Sequence, residues 1–203
     1  EFNGIYGKYT ITSKDKKDVK LYRFSLLFSS IGFSVGLIQW IFFDSSVAWI
    51  WLVVMAIGLG GSLKWIHIYL TFLHKFLQIL WGIGVISIII MIINFGPENI
   101  FHTLSNNRIY IIAIGPLFAA LTGIGFKEFF CFRRAEAIGL TLFTPIALLG
   151  HISNLLNENI VIILLFLSAL LSLIMSIRKF GMESSSDIGD KSVFEYLGRE
   201  KVS

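Results

Sequence analysis

An all-α, polytopic membrane protein with six transmembrane helices and one interfacial amphipathic helix is the fold class this sequence predicts. Three observations predict it. The chain of 203 residues is 55% hydrophobic and 15% charged, with a mean hydropathy of +0.77. A soluble domain of that length can bury a core without such an apolar excess. The charges are also clustered, and they leave six long stretches nearly free of them. Finally, the basic residues segregate to one side once those stretches are threaded through a membrane. The strict alternation of a β-barrel is absent. Basic residues flank apolar spans rather than forming a separate patch, which excludes a nucleic-acid-binding class. Cys131 is the single cysteine, so no internal disulfide can form.

A spanning helix needs about 17–25 apolar residues. Residues 1–20 are polar, and they are too polar for a signal peptide. The chain is therefore expected to open on the mature start of a targeted precursor. The transmembrane domain covers 21–177 and a polar tail covers 178–203. Its first span is Leu21–Phe43, interrupted only by Arg23 near its start and Gln39 near its end. Val47–Leu63, Leu77–Phe95 and Ile109–Phe126 follow. Ala137–Ile152 is the weakest, with Thr141, Thr144 and Pro145 inside it, and it is short unless it runs on to Leu156. Asn159–Ile177 is the sixth. Hydrocarbon offers no partner to an unsatisfied amide, so each span is read as a helix.

Six spans put the amino terminus, the second and fourth connections and the carboxyl terminus on one side. That side then holds 16 of the 17 basic residues, and only Arg108 falls on the other. Cationic side chains resist translocation, so the positive side is expected to be cytoplasmic or its organellar equivalent.

Lys64–Gln78, KWIHIYLTFLHKFLQ, lies between the second and third spans. Lys64, His67, Thr71, His74, Lys75 and Gln78 recur at intervals of three and four, one face of a helix. Burying its lysines at the bilayer centre costs about 3 kcal/mol each. The expectation is an interfacial helix, with Trp65, Tyr69 and Phe72 turned to lipid or protein. A sharper reading has His67 and His74 facing one ligand.

Small residues mark close helix contacts in a membrane. Gly32 and Gly36 form one such stripe, Gly115, Ala119 and Gly123 a second, and Ser168, Ser172 and Ser176 a third. The segment Gly125–Ala137, GFKEFFCFRRAEA, is the richest in chemistry. Lys127, Arg133 and Arg134 are candidates for a lipid headgroup or an acidic partner, with Glu128 and Glu136 able to pair with them. His67, His74 and His151 are candidate pigment ligands, since a buried neutral imidazole can ligate a tetrapyrrole metal. Gln78 and Glu128 are lesser candidates. No two histidines stand at metal-pair spacing. Hydrolase, nucleotide-binding and redox signatures are missing, so no catalytic residue is assigned and an enzyme is not expected.

The stretches WIHIYLTFLHKFLQILWGIG, FAALTGIGFKEFFCFRRAEA and LTLFTPIALLGH together resemble an uncharacterised integral membrane family of cyanobacteria and algal plastids, domain of unknown function 2301. The resemblance runs from Gly7 to His151, and KEFFCF with the following basic pair carries most of it. It implies a thylakoid membrane, where the charge asymmetry makes both termini stromal or cytoplasmic by expectation. The expected function is a non-catalytic accessory or assembly subunit of a photosynthetic complex. Photosystem subunits or antenna proteins and membrane lipid are the expected partners, and chlorophyll, carotenoid and bound lipids the expected cofactors. Under this reading the basic residues of the fourth connection and the tail dock stromal surfaces. Val193, Phe194, Tyr196 and Leu197 form an apolar anchor in that tail. The competing expectation is a small-solute or ion transporter with a polar path built from Gln39, Thr141, Thr144, Pro145 and His151. A lipid-modifying enzyme is the third, and it lacks an acid–base set.

Overall fold

Six long helices cross the molecule in the computed structural model, which describes residues 1–68, 70–193 and 196. Tyr69 of the expected interfacial helix, and Phe194, Leu197, Arg199 and Lys201 of the tail, lie outside the described residues. A short hairpin, β1 (Phe2–Gly4) and β2 (Gly7–Tyr9), opens the chain. The long helices are α1 (Ser13–Phe42), α2 (Ala48–Trp65), α3 (Thr71–Phe95), α5 (Ile109–Phe132), α6 (Ala135–Ile152) and α7 (Glu158–Lys179). Two short helices join them, α4 (Ile100–Asn106) between α3 and α5, and α8 (Ser184–Ile188) after α7.

Local chemistry sets the helix ends. Thr12 and Asp15 form a capping box: the Asp15 amide donates to the Thr12 hydroxyl at 3.2 Å, and the Thr12 amide donates to the Asp15 carboxylate at 2.7 Å. Helix α1 therefore begins in the polar segment, eight residues before the apolar run. Its 30 residues span about 45 Å, longer than a hydrocarbon core of about 30 Å, so its first turns project from it. Gly96, at φ 78°, ends α3 in a conformation only glycine adopts readily, and Pro97 opens the turn after it. Asn157 caps α7 by accepting from the Ile160 amide at 2.9 Å, and Arg178 and Lys179 complement its carboxyl end.

The expected interfacial helix is replaced by two helix ends and a corner. Lys64 and Trp65 complete α2, Ile66–Ile68 are non-helical, and α3 starts at Thr71. The chain reverses direction there, so the periodicity across Lys64–Gln78 does not describe one face. His74 Nε2 donates to the Leu63 carbonyl at 2.6 Å, and Gln78 donates to the same oxygen at 3.4 Å. Both side chains thus satisfy a helix-terminal carbonyl that would otherwise lack a partner.

Each long helix packs against two others in a closed circuit: α1 with α2 and α7, α7 with α6, α6 with α5, α5 with α3, and α3 with α2. Small residues permit the tightest approaches. A Cβ at Gly32 would run into the Met55 backbone and one at Gly58 into the Ser29 backbone. Ser29 Oγ donates to the Met55 carbonyl at 3.0 Å across that interface. The Ser30 and Ser172 hydroxyls meet at 2.7 Å between α1 and α7, and Ser168, Ser172 and Ser176 are fully buried. The stripe on α5 holds only in part, since Gly123 abuts Leu77 while Gly115 faces open space. Helix α3 is the least buried, with 22% of its apolar window inside the molecule.

The amino-terminal hairpin and the segment around Asp190 and Lys191 meet at one end of the bundle. The Ile5 amide donates to Asp190 at 2.7 Å, and Lys191 pairs with Asp15 at 2.8 Å. Arg108, the lone basic residue of the opposite end among the described residues, pairs with Asn154 there.

Candidate intramembrane binding site

The far half of the bundle, opposite the amino-terminal hairpin, encloses a cavity of about 320 Å³. Helices α1, α2, α5, α6 and α7 supply its walls and α4 lies across it. Phe33, Leu37, Met55, Phe118, Leu148 and Leu165 make the walls apolar. The polar lining groups, Ser105, His151 and Glu158, come from helix ends on the far side. Glu158 and Ser105 are exposed, so the cavity reaches the surface there. His151 is half-buried, and its Nδ1 is a buried atom with no hydrogen-bond partner. Buried polar atoms are normally partnered, so this nitrogen is available to a ligand. At about 320 Å³ the space lies at the small end of the roughly 300–1,000 Å³ of enclosed ligand sites. One hydrocarbon chain or a small ring suits it better than a macrocycle carrying its own tail.

Between the cavity and the positive end the core is solid. Leu26, Leu121, Ile124, Leu140 and Met175 are fully buried. Beyond them lies a cluster of buried charge. Lys179, from the last turn of α7, reaches Glu128 of α5 at 2.7 Å and also bonds Asp187 of α8. Lys127 donates to Glu128 at 3.1 Å, and the Tyr22 hydroxyl donates to it at 2.8 Å. Arg23 of α1 pairs with Asp187 at 2.7 Å. The Phe132 ring lies 4.4 Å from Lys179 Nζ and 5.3 Å from Lys127 Nζ, both cation–π contacts. Burial works against charge on Asp187, yet the Lys179 ammonium and the hydrogen bond from Arg23 hold its carboxyl below the usual carboxylate range. A third buried carboxylate, Glu136, accepts from Arg178 at 2.9 Å and Arg134 at 3.5 Å.

These placements sort the sequence candidates. Glu128 is wholly buried and already ion-paired, so it is not poised to ligate a pigment. Lys127 points inward and offers no docking charge, whereas Arg133 is exposed. Arg133 takes up the left-handed conformation at φ 50° that ends α5, and Arg134 precedes α6, so the basic pair is itself the turn. His67 sits in the corner after α2, separate from His74, where burial pushes its imidazole below the ordinary value. Of the residues expected to line a polar path, His151 alone among the described residues reaches the cavity. Gln39 instead donates to the Asp44 carbonyl at 2.9 Å, and Thr141 back-bonds to Ala137 at 2.7 Å. Sequence reading missed Tyr22, Arg23, Lys179 and Asp187 as a group. An arginine inside an apolar run was the available signal.

Residues 61–196 match the profile of a family described as uncharacterized integral membrane protein, DUF2301. The chain belongs to that family. It is thus a multi-pass integral membrane protein in contact with membrane lipid. No curated protein and no solved structure matches it.

Proposed function

We propose that this DUF2301 protein is a non-catalytic accessory subunit of a larger membrane complex and that it holds one apolar, chain-like molecule in the His151 cavity. The cavity carries this reading: its walls are largely hydrocarbon, and an imidazole nitrogen in its lining is buried and unpartnered. A membrane lipid chain or the end of a carotenoid has the matching shape, and His151 would hydrogen-bond a hydroxyl or carbonyl on it. The resemblance to an integral membrane family of cyanobacteria and algal plastids supports a photosynthetic complex as the setting. Helix α3 supports a partner: Phe72, Phe76, Ile79, Ile83, Ile86, Ile90 and Ile93 form an exposed apolar seam along it. Transport of a small polar solute is disfavoured by the solid core between the cavity and the charged cluster.

Two measurements test the reading. Extraction of protein purified in mild detergent should return one apolar molecule per chain, and Leu148→Trp, which fills the cavity, should abolish it while leaving the fold intact. On native gels of solubilised membranes the protein should co-migrate with a larger complex. A ligand-free protein that always runs alone contradicts the proposal.

A further inference from the structure

The charged cluster at the positive end has an unusual division of labour. The segment from Phe180 to Asp190 folds back across the end of the bundle as a strap, and among the described residues the Arg23 guanidinium hydrogen-bonds to that strap. Its Nε donates to Asp187 at 2.8 Å, while its terminal nitrogens donate to the carbonyls of Met182 at 2.9 Å and Glu183 at 3.0 Å. Lys179 divides its ammonium between Glu128 of the bundle and Asp187 of the strap. Asp187 is 5% exposed and thus buried among cations that belong to α1 and α7.

Charge bookkeeping gives the strap a meaning. Three buried cations, Arg23, Lys127 and Lys179, face two carboxylates, Glu128 and Asp187. Glu128 is fixed on α5, but Asp187 arrives on a five-residue helix that contacts the bundle mainly through α1. With the strap lifted, the cations outnumber Glu128 by two charges. With Asp187 seated, one positive charge is still left over. A dianion in its place would neutralise the site completely. A planar guanidinium with two free edges beside an ammonium suits the oxygens of a phosphate monoester.

We propose that the positive end of the bundle is an anion-binding site for a phosphate monoester, that Asp187 is its internal occupant, and that the ligand enters by displacing the strap. The phosphate comes either from solution or from an anionic lipid headgroup at that leaflet. Binding and strap release are one exchange, since Arg23 and Lys179 cannot hold both occupants.

The test follows the strap in the full-length protein, reconstituted in nanodiscs of neutral lipid. A spin-label pair, one label on Ser185 and one on Lys14, reads the distance between strap and α1. Inorganic phosphate is then titrated, and separate nanodiscs carry phosphatidic acid, a lipid phosphomonoester. Lengthening of the distance with free phosphate supports the proposal with a soluble ligand. Lengthening only with phosphatidic acid supports it with a headgroup as the ligand. An unchanged distance in both overturns it. Asp187→Asn should bind the effective probe about tenfold tighter, the worth of one competing charge removed. Arg23→Gln should remove the response even where the strap stays docked in its absence. Equal affinity of the Asp187→Asn and unmodified proteins would also overturn the proposal.

Discussion

Lys179 has no exposed surface, yet its ammonium is the hinge of two ion pairs. Taking one partner from a buried pair destabilises by about 3–5 kcal/mol, mostly because the remaining charge is stranded. Lys179→Met leaves Glu128 with Lys127 and Tyr22 and Asp187 with Arg23, so it should lower thermal stability in detergent by about the low end of that range. Tyr22→Phe removes one neutral donor from Glu128 and should cost about 1–3 kcal/mol. Comparing the two melting curves separates a lost buried ion pair from a lost hydrogen bond. His67 gives a pH prediction. Burial lowers its imidazole below the ordinary 6.5, so the fold prefers it neutral. The unfolded chain takes up a proton first as pH falls, so this contribution to stability is whole above pH 6.5 and declines as pH drops below it. His67→Gln should flatten the melting temperature over that interval relative to the unmodified protein.

At the scale of elements, glycines decide how near two helices come, and they are not equivalent. Gly58→Val would drive a methyl into the Ser29 backbone, whereas Gly115→Val would meet open space. The first should destabilise by several kcal/mol and the second should be nearly silent, as thermal unfolding of the two variants would report. Sequence spacing alone gave Gly32, Gly115 and Gly123 the same standing, because the contact surface of a helix is set by its neighbours. The six spans were legible, since hydrocarbon forces long charge-free runs. Their polar extensions were less so. Ser13–Lys20 continue α1 and Lys127–Phe132 continue α5, and in both the turns added lie past the apolar run. Lys64–Gln78 misled for a related reason: a period of three to four persists across two helices joined by a corner, and nothing in it records the reversal at Ile66.

Among the described residues the cations other than Arg108 gather at one end of the molecule, and the hairpin-to-strap contacts put the amino-terminal hairpin there too. Cys131 is exposed at the same end, and it is the only cysteine in the chain. A membrane-impermeant thiol reagent should therefore label Cys131 from the side on which protease removes the amino-terminal hairpin. Labelling from the opposite side would overturn the threading. The charged cluster was hidden from sequence reading by distance: Arg23 was visible as a polar break in an apolar run, but its carboxylate lies in the polar tail, 164 residues further on. Only the closed circuit of helices brings these groups together. The cavity was equally hidden, because its walls are drawn from residues that look like ordinary lipid-facing side chains.

Arg23 and Asp187 are 164 residues apart in the chain. At a synthesis rate of about 5–20 residues per second, Arg23 leaves the ribosome roughly ten to thirty seconds before its counter-ion exists. The nascent protein therefore inserts its first helix before the Asp187 carboxylate that Arg23 pairs with has been made. Completion of the bundle is a late, post-insertion event, and a chain released prematurely before Asp187 would reach the membrane with its spans in place and its cationic end unsealed.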